Sequence, residues 1–258
     1  MPALTILSSG KEIYLERHEP SIGTDDETTP IILVHGLLAS SETYRSLLDL
    51  IPNRTRIVYD SQGHGRTPIH RPTSSPLTMD SLAADITDIL AHYSYHRADV
   101  VAWSGGSYIA MHFAATFPDK IRKLVLLGPP AVPAPRELIL GNAARVRGGL
   151  ESFVAVLASG LGAKAQSNEH IVAALQEETL KQDKESVAEV IECLAGFQIG
   201  EIKAETLVIM GTEDRMSDRM ACQSVQEVTK GRLVELPTGH YFTLEDPQAT
   251  AAAIAAFL

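Results

Sequence analysis

Cysteine is scarce in this chain. Cys193 and Cys222 are its only thiols in 258 residues. Two scattered cysteines cannot build a disulfide framework or a zinc site. They are expected as free or buried thiols in a reducing compartment. Long apolar runs are also missing. None approaches the ~20 residues that a helix needs to cross a bilayer, so no membrane partner is expected. The stretch from Met1 to Glu12 lacks the basic-then-apolar order of a signal peptide. A cytoplasmic location is expected, and the sequon Asn53-Arg54-Thr55 reads as chance. Basic residues are in deficit, 22 against 32 acidic, for a net charge of -10. Nucleic-acid binding needs a basic face, so this balance argues against it. No long acidic run carries the charge, which fits a solvated surface. Internal repeats are absent, and only the alanine-rich C-terminal helix is compositionally biased.

What is present is a core. With 45% apolar residues, the chain can fill one large domain. Leu4–Leu7, the turn Ser8-Ser9-Gly10 and Ile13–Leu15 read as a β-hairpin. A polar loop is expected from Ser21 to Thr29. Pro30–Val34, Arg56–Tyr59, Asp99–Trp103, Lys123–Leu127, Thr206–Met210 and Arg232–Leu236 read as strands. Several are continuously apolar, as in parallel sheets covered on both faces. A loop at Pro72–Pro76 precedes a helix whose Leu82, Ala83, Ile86, Ile89, Leu90 and Tyr93 recur with a period near 3.6. Thr78 or Asp80 is placed to cap it. Another helix carries Ile109, Ala110, Phe113 and Phe117 and stops at Pro118. From Arg136 to about Phe197 the pattern is helical only, and Leu150, Phe153, Val154 and Leu157 form one apolar face. Pro247–Leu258 is the last helix. The fold class is therefore α/β: a doubly wound, mostly parallel central sheet flanked by helices. Its core spans 1–132 and 200–258, and an all-helical insertion spans 133–199.

A serine hydroxyl is a poor nucleophile until a base takes its proton and a third group orients that base. The reaction also needs donors for the developing oxyanion. Ala102-Trp103-Ser104-Gly105-Gly106 sits where a strand gives way to a helix. Close packing at such a turn demands small residues two before and two after the serine, and Ala102 and Gly106 meet that demand. Gly105 leaves the next backbone amide unobstructed. The segment departs from G-x-S-x-G in having Ala102 where glycine is usual, and a helix N-cap serine is the structural alternative. At the end of an earlier strand stands Val34-His35-Gly36-Leu37-Leu38.

With these two segments the chain resembles the α/β-hydrolase superfamily, and the resemblance runs from about Pro30 to Leu258. It implies that the amide of Leu37 joins that of Gly105 in an oxyanion hole, with His35 structural. Asp60-Ser61-Gln62-Gly63-His64-Gly65-Arg66-Thr67 resembles the family's D-x-x-G-x-G-x-S, with threonine last. Its expected role is structural; the alternative puts His64 or Arg66 at a pocket rim. Gly211-Thr212-Glu213-Asp214 resembles the family's G-x-x-D and points to Asp214, with Glu213 and Asp218 as rivals. In some relatives the acid follows the strand before the insertion. Here that place reads Gly128-Pro129-Pro130, without a carboxylate. His240 follows the last strand and completes the order Ser…Asp…His. His112 falls inside the helix after the serine.

The resemblance implies a serine hydrolase working through an acyl-enzyme, with no metal or organic cofactor. The insertion takes the place of the family's cap domain. A small, fairly apolar ester or lactone is the expected substrate, with Leu38, Trp103, Met210 and Tyr241 as candidate pocket residues. A serine at the elbow argues against dehalogenase or epoxide hydrolase chemistry, which relatives run with aspartate. Carbon–carbon hydrolysis, acyl transfer and a cofactor-free lyase remain open on the same triad. So does a non-enzymatic small-molecule receptor. The oligomeric state is open as well, a homodimer included.

Overall fold

The computed structural model describes residues 3–20, 29–51, 53–71 and 76–258. Most of the expected loop at Ser21–Thr29 and most of the one at Pro72–Pro76 lie outside these residues. Strands β1 (Ala3–Ile6) and β2 (Glu12–His18) form the expected antiparallel hairpin, turning at Gly10 with φ +83°. After them come β3 (Ile31–Val34), α1 (Arg45–Leu48), β4 (Arg56–Tyr59), α2 (Met79–His92), β5 (Ala98–Trp103), α3 (Gly106–Thr116) and β6 (Ile121–Leu127). Five helices then run without a strand: α4 (Arg136–Gly148), α5 (Glu151–Ala158), α6 (Ala163–Gln166), α7 (Glu169–Leu180) and α8 (Lys184–Leu194). The chain closes through β7 (Glu205–Gly211), α9 (Arg219–Thr229), β8 (Arg232–Leu236), α10 (Phe242–Glu245) and α11 (Pro247–Phe257).

The eight strands form one sheet in the order β1-β2-β4-β3-β5-β6-β7-β8. From β4 to β8 every neighbouring pair is parallel, and β2 joins β4 antiparallel. Every residue of β3, β4 and β5 is buried, because helices cover both faces. One apolar cluster packs α2 and α3 against the sheet; the other holds α1, α11 and much of α4–α8. In register, Val34 stands beside Ala102. The His35-Gly36 segment and Ser104 therefore leave the sheet side by side at its carboxyl edge, where open α/β sheets place their sites.

Local chemistry sets the helix starts. The Thr78 side chain accepts from Ser81 N and caps α2, while Asp80 lies in its first turn. Asp218 caps α9, a helix the apolar pattern did not announce; its buried residues are only Ala221, Cys222, Val225 and Thr229. Among the described residues no helix is long and apolar enough to cross a membrane.

Candidate active site

Ser104 has φ +51°. A left-handed backbone costs a non-glycine residue about 1–3 kcal/mol and survives where the surroundings over-determine it. Here they do. Ser104 N donates to Leu127 O at 2.9 Å, and Ser104 O accepts from Ser107 N at 2.8 Å. A Cβ on Gly106 would lie 2.3 Å from His35 O, and one on Gly36 would lie 3.0 Å from Ser104 Cβ. The two loops touch through backbone, so both glycines are sterically required. Ala102 is fully buried between Val34 and Leu126, and its methyl fits where glycine is usual.

The loop after β8 brings His240 to this serine. Its Nε2 lies 2.7 Å from Ser104 Oγ, and its Nδ1 lies 2.7 Å from Asp214 Oδ2. The other carboxylate oxygen of Asp214 accepts from Met216 N at 2.8 Å and Ser217 N at 2.9 Å. These three hydrogen bonds fix the carboxylate, so Nδ1–H is held toward Oδ2 and Nε2 is left to accept from the hydroxyl. His240 and Asp214 are buried, while Ser104 is half-buried. The rival carboxylates are engaged elsewhere. Asp218 accepts from Ala221 N, and Glu213 accepts from Ala163 N. His112 pairs with Asp80.

Gly105 and Leu37 are adjacent across the gap, since a Cβ on Gly105 would lie 2.8 Å from Leu37 Cγ. Neither backbone N–H donates a hydrogen bond among the described residues. His35 takes no part in the triad. Its Nε2 accepts from Ser61 N at 2.9 Å and its Nδ1–H donates to Gly36 O at 2.7 Å. Burial pushes its pKa down, so it stays neutral and braces two loops. His64, 5.3 Å away ring to ring, is pushed down to about 3 by burial and by His35.

The Asp60 segment is a buried scaffold. Asp60 accepts from Ser41 N, Arg66 N and Arg66 Nε. The guanidinium of Arg66 lies over the Tyr14 ring, 3.4 Å from its centroid. Thr67 supplies the hydroxyl expected of serine, accepting from Tyr14 N at 3.0 Å.

A cavity of about 540 Å³ opens beside the site. Leu37, Leu38, Trp103 and Tyr241 line it, with Leu157 and Leu175 from α5 and α7. The lining ends at Leu37 and Trp103, the latter next to Ser104 in sequence, and does not include Ser104 itself. Arg66, Glu42, Glu178 and Lys181 belong to its polar part; Arg66 therefore reaches the rim, and His64 does not. Met210 is a correction. It is buried with Val208, Cys222 and Val225 on the opposite face of the sheet, because side chains alternate along a strand. Sequence reasoning also missed Gly128. A Cβ there would stand 3.1 Å from Asp214 Oδ2 and 3.2 Å from His240 Nδ1. The signal was available as a glycine in the place where some relatives carry the acid.

A model of the alpha/beta hydrolase fold matches residues 29–163, more than half of the chain. Among curated proteins, an sn-1-specific diacylglycerol lipase of Danio rerio is 28% identical over 104 residues, 39% of this chain and 32% of that protein. A pimeloyl-[acyl-carrier protein] methyl ester esterase of Neisseria meningitidis serogroup B is 31% identical over 102 residues, 39% of this chain and 36% of that one. The chain thus spans about a third of the length of the curated relatives it matches. An enol-lactonase from Burkholderia xenovorans superposes with a TM-score of 0.86 at 21% identity, covering 98% of both chains. A hydrolase from Pseudomonas aeruginosa gives 0.85 at 20% identity, over 99% of this chain and 97% of that one. The elbow at Ser104, the parallel sheet beneath it and the family match agree, and the chain belongs to the alpha/beta hydrolase fold family.

Proposed function

We propose that this protein is a serine hydrolase that cleaves a carboxylic ester or lactone of a small, fairly apolar molecule. The observation that carries this reading is the continuous chain Asp214–His240–Ser104, with 2.7 Å at each link. Ser104 Oγ attacks the carbonyl carbon as His240 Nε2 takes its proton. Asp214 holds the imidazolium that results. The negative charge passes to the carbonyl oxygen, which the Leu37 and Gly105 amides are suited to receive. The C–O bond to the alcohol then breaks, His240 returns the proton to it, and an acyl-enzyme remains. Water, deprotonated by His240, releases the acid and restores Ser104.

The apolar part of the cavity, from Leu37 to Leu175, supports an apolar substrate. In this reading residues 133–199 act as a cap, with Leu157 and Leu175 contributing to the pocket wall. The curated relatives named for ester cleavage favour the same chemistry. We place the enzyme's work in the cytosol, in keeping with two free thiols.

The test is labelling with a fluorophosphonate, then a screen of lactones against linear esters. A single adduct on Ser104 is expected, absent in Ser104→Ala. Asp214→Asn is expected to lower kcat about 10³–10⁴-fold by losing the orienting acceptor. Folded protein that takes no adduct on Ser104 would overturn the reading.

A further inference from the structure

Glu245 closes α10, five residues after His240, and its carboxylate accepts three backbone hydrogen bonds. Oε2 accepts from Gly239 N at 2.8 Å and from Gly162 N at 3.0 Å, and Oε1 accepts from Tyr241 N at 3.1 Å. Gly239 and Tyr241 are the two neighbours of His240. Gly162 belongs to a different segment, the loop joining α5 to α6. The same loop supplies Gly160 O, which accepts from His240 N at 2.7 Å. On the other side Trp103 Nε1 donates to His240 O at 2.8 Å. Three consecutive amides, 239 to 241, are thus fixed without any strand or long helix to hold them.

The two loops leave no slack between them. A Cβ on Gly239 would lie 2.2 Å from Gly162 N and 2.4 Å from Gly160 O. Only an acceptor with two equivalent oxygens can serve all three donors at once. An amide would turn its N–H₂ toward at least one backbone N–H and open the loop there. Charge-assisted bonds of this kind are also about twice as strong as neutral ones.

We propose that Glu245 is the positioning residue of His240: its carboxylate ties the histidine loop to the α5–α6 loop, so the imidazole's placement depends on the inserted helices. This rests on the hydrolase reading above. The effect on Ser104 and Asp214 runs through His240, since Glu245 touches neither of them among the described contacts.

The experiment compares Glu245→Gln, Glu245→Asp and Glu213→Gln in the intact chain, with an ester the wild type cleaves. The Glu213 side chain accepts from Ala163 N at 2.8 Å, where α6 begins, and only its backbone meets the histidine loop, Glu213 N donating to Thr238 O at 2.9 Å. A misplacement near 1 Å can cost about 100-fold in rate. Glu245→Gln is therefore expected to lower kcat per labelled Ser104 about 10- to 100-fold, with KM within about 2-fold. Glu245→Asp is expected to recover part of the loss, and Glu213→Gln to keep wild-type kcat. The low-field proton resonance of His240 Nδ1–H should shift or broaden in Glu245→Gln at temperatures where the protein is folded. Wild-type kcat per labelled site in Glu245→Gln, or an equal loss in Glu213→Gln, overturns the proposal. If Glu245→Gln does not fold, Glu245→Asp decides by the same ratio. If the wild type takes no label, the hydrolase reading fails by itself. The Nδ1–H resonance then still tells whether Glu245 positions the ring, and an unchanged resonance refutes it.

Discussion

A methyl group at position 128 would press on both Asp214 Oδ2 and His240 Nδ1, and on Phe242 Cε2 at 3.0 Å. The backbone there has φ +50°, so an L side chain is strained even before it meets these atoms. Gly128→Ala is expected to cost about 1–2 kcal/mol of stability. It should lower kcat by more than that loss explains, because the contact falls on the hydrogen bond that orients the base. Thermal melts and kcat per labelled site measure the two separately; unchanged kcat in folded protein would show that the pair tolerates the push. At this scale the grouping of Ser104, Asp214 and His240 was legible. Order along the chain picked Asp214 over Glu213 and His240 over eight other histidines. Met210 was misassigned because a continuous apolar strand does not tell which of its residues face which side. Glu245 carried no signal, since its three partners are backbone amides and one comes from a segment 83 residues away.

Between elements, one buried ion pair joins the β1–β2 hairpin to α2. Lys11 Nζ lies 2.8 Å from Asp85 Oδ1 and 3.1 Å from Asp88 Oδ2. Burial pushes the Asp85 carboxyl up to about 6 despite the lysine, in line with its Oδ2 having no partner. The folded state thus holds this proton more tightly than the unfolded chain does. Its contribution to stability is full below about pH 4 and is lost as pH rises through about 6. Other carboxylates, such as Asp60 held low by Arg66 against its own desolvation, act in the opposite sense. The comparison with Asp85→Asn isolates the effect. From pH 4 to 7 the wild type should lose roughly 1–3 kcal/mol relative to the variant. Urea melts at both pH values measure this, and a constant difference would refute it. The helix α2 itself was plain from its period, whereas α9 was not. Only four of its residues are buried, and one of those is a threonine.

Across the molecule, the inserted helices share their apolar cluster with the sheet. Leu157 and Leu175 belong to the same cluster as Trp103, Val125 and Ile209. The insertion therefore lacks a core of its own, and heat should unfold the chain in one step. Calorimetry should give equal calorimetric and van't Hoff enthalpies; two resolved transitions would show the insertion unfolding apart. The fold class was readable because buried parallel strands are apolar along their whole length. The cavity was not, because it depends on how α5 and α7 lean over Trp103 and Tyr241, and periodicity carries no tilt.

Ser104 and His240 are 136 residues apart, and His240 comes last. A ribosome adding about 5–20 residues per second needs roughly 7–30 s to travel that distance. During that interval the elbow strand and its serine already exist, but His240, whose Nε2 meets the hydroxyl in the folded chain, does not. Under the proposed function, Ser104 therefore gains its proton acceptor only once His240 has been made.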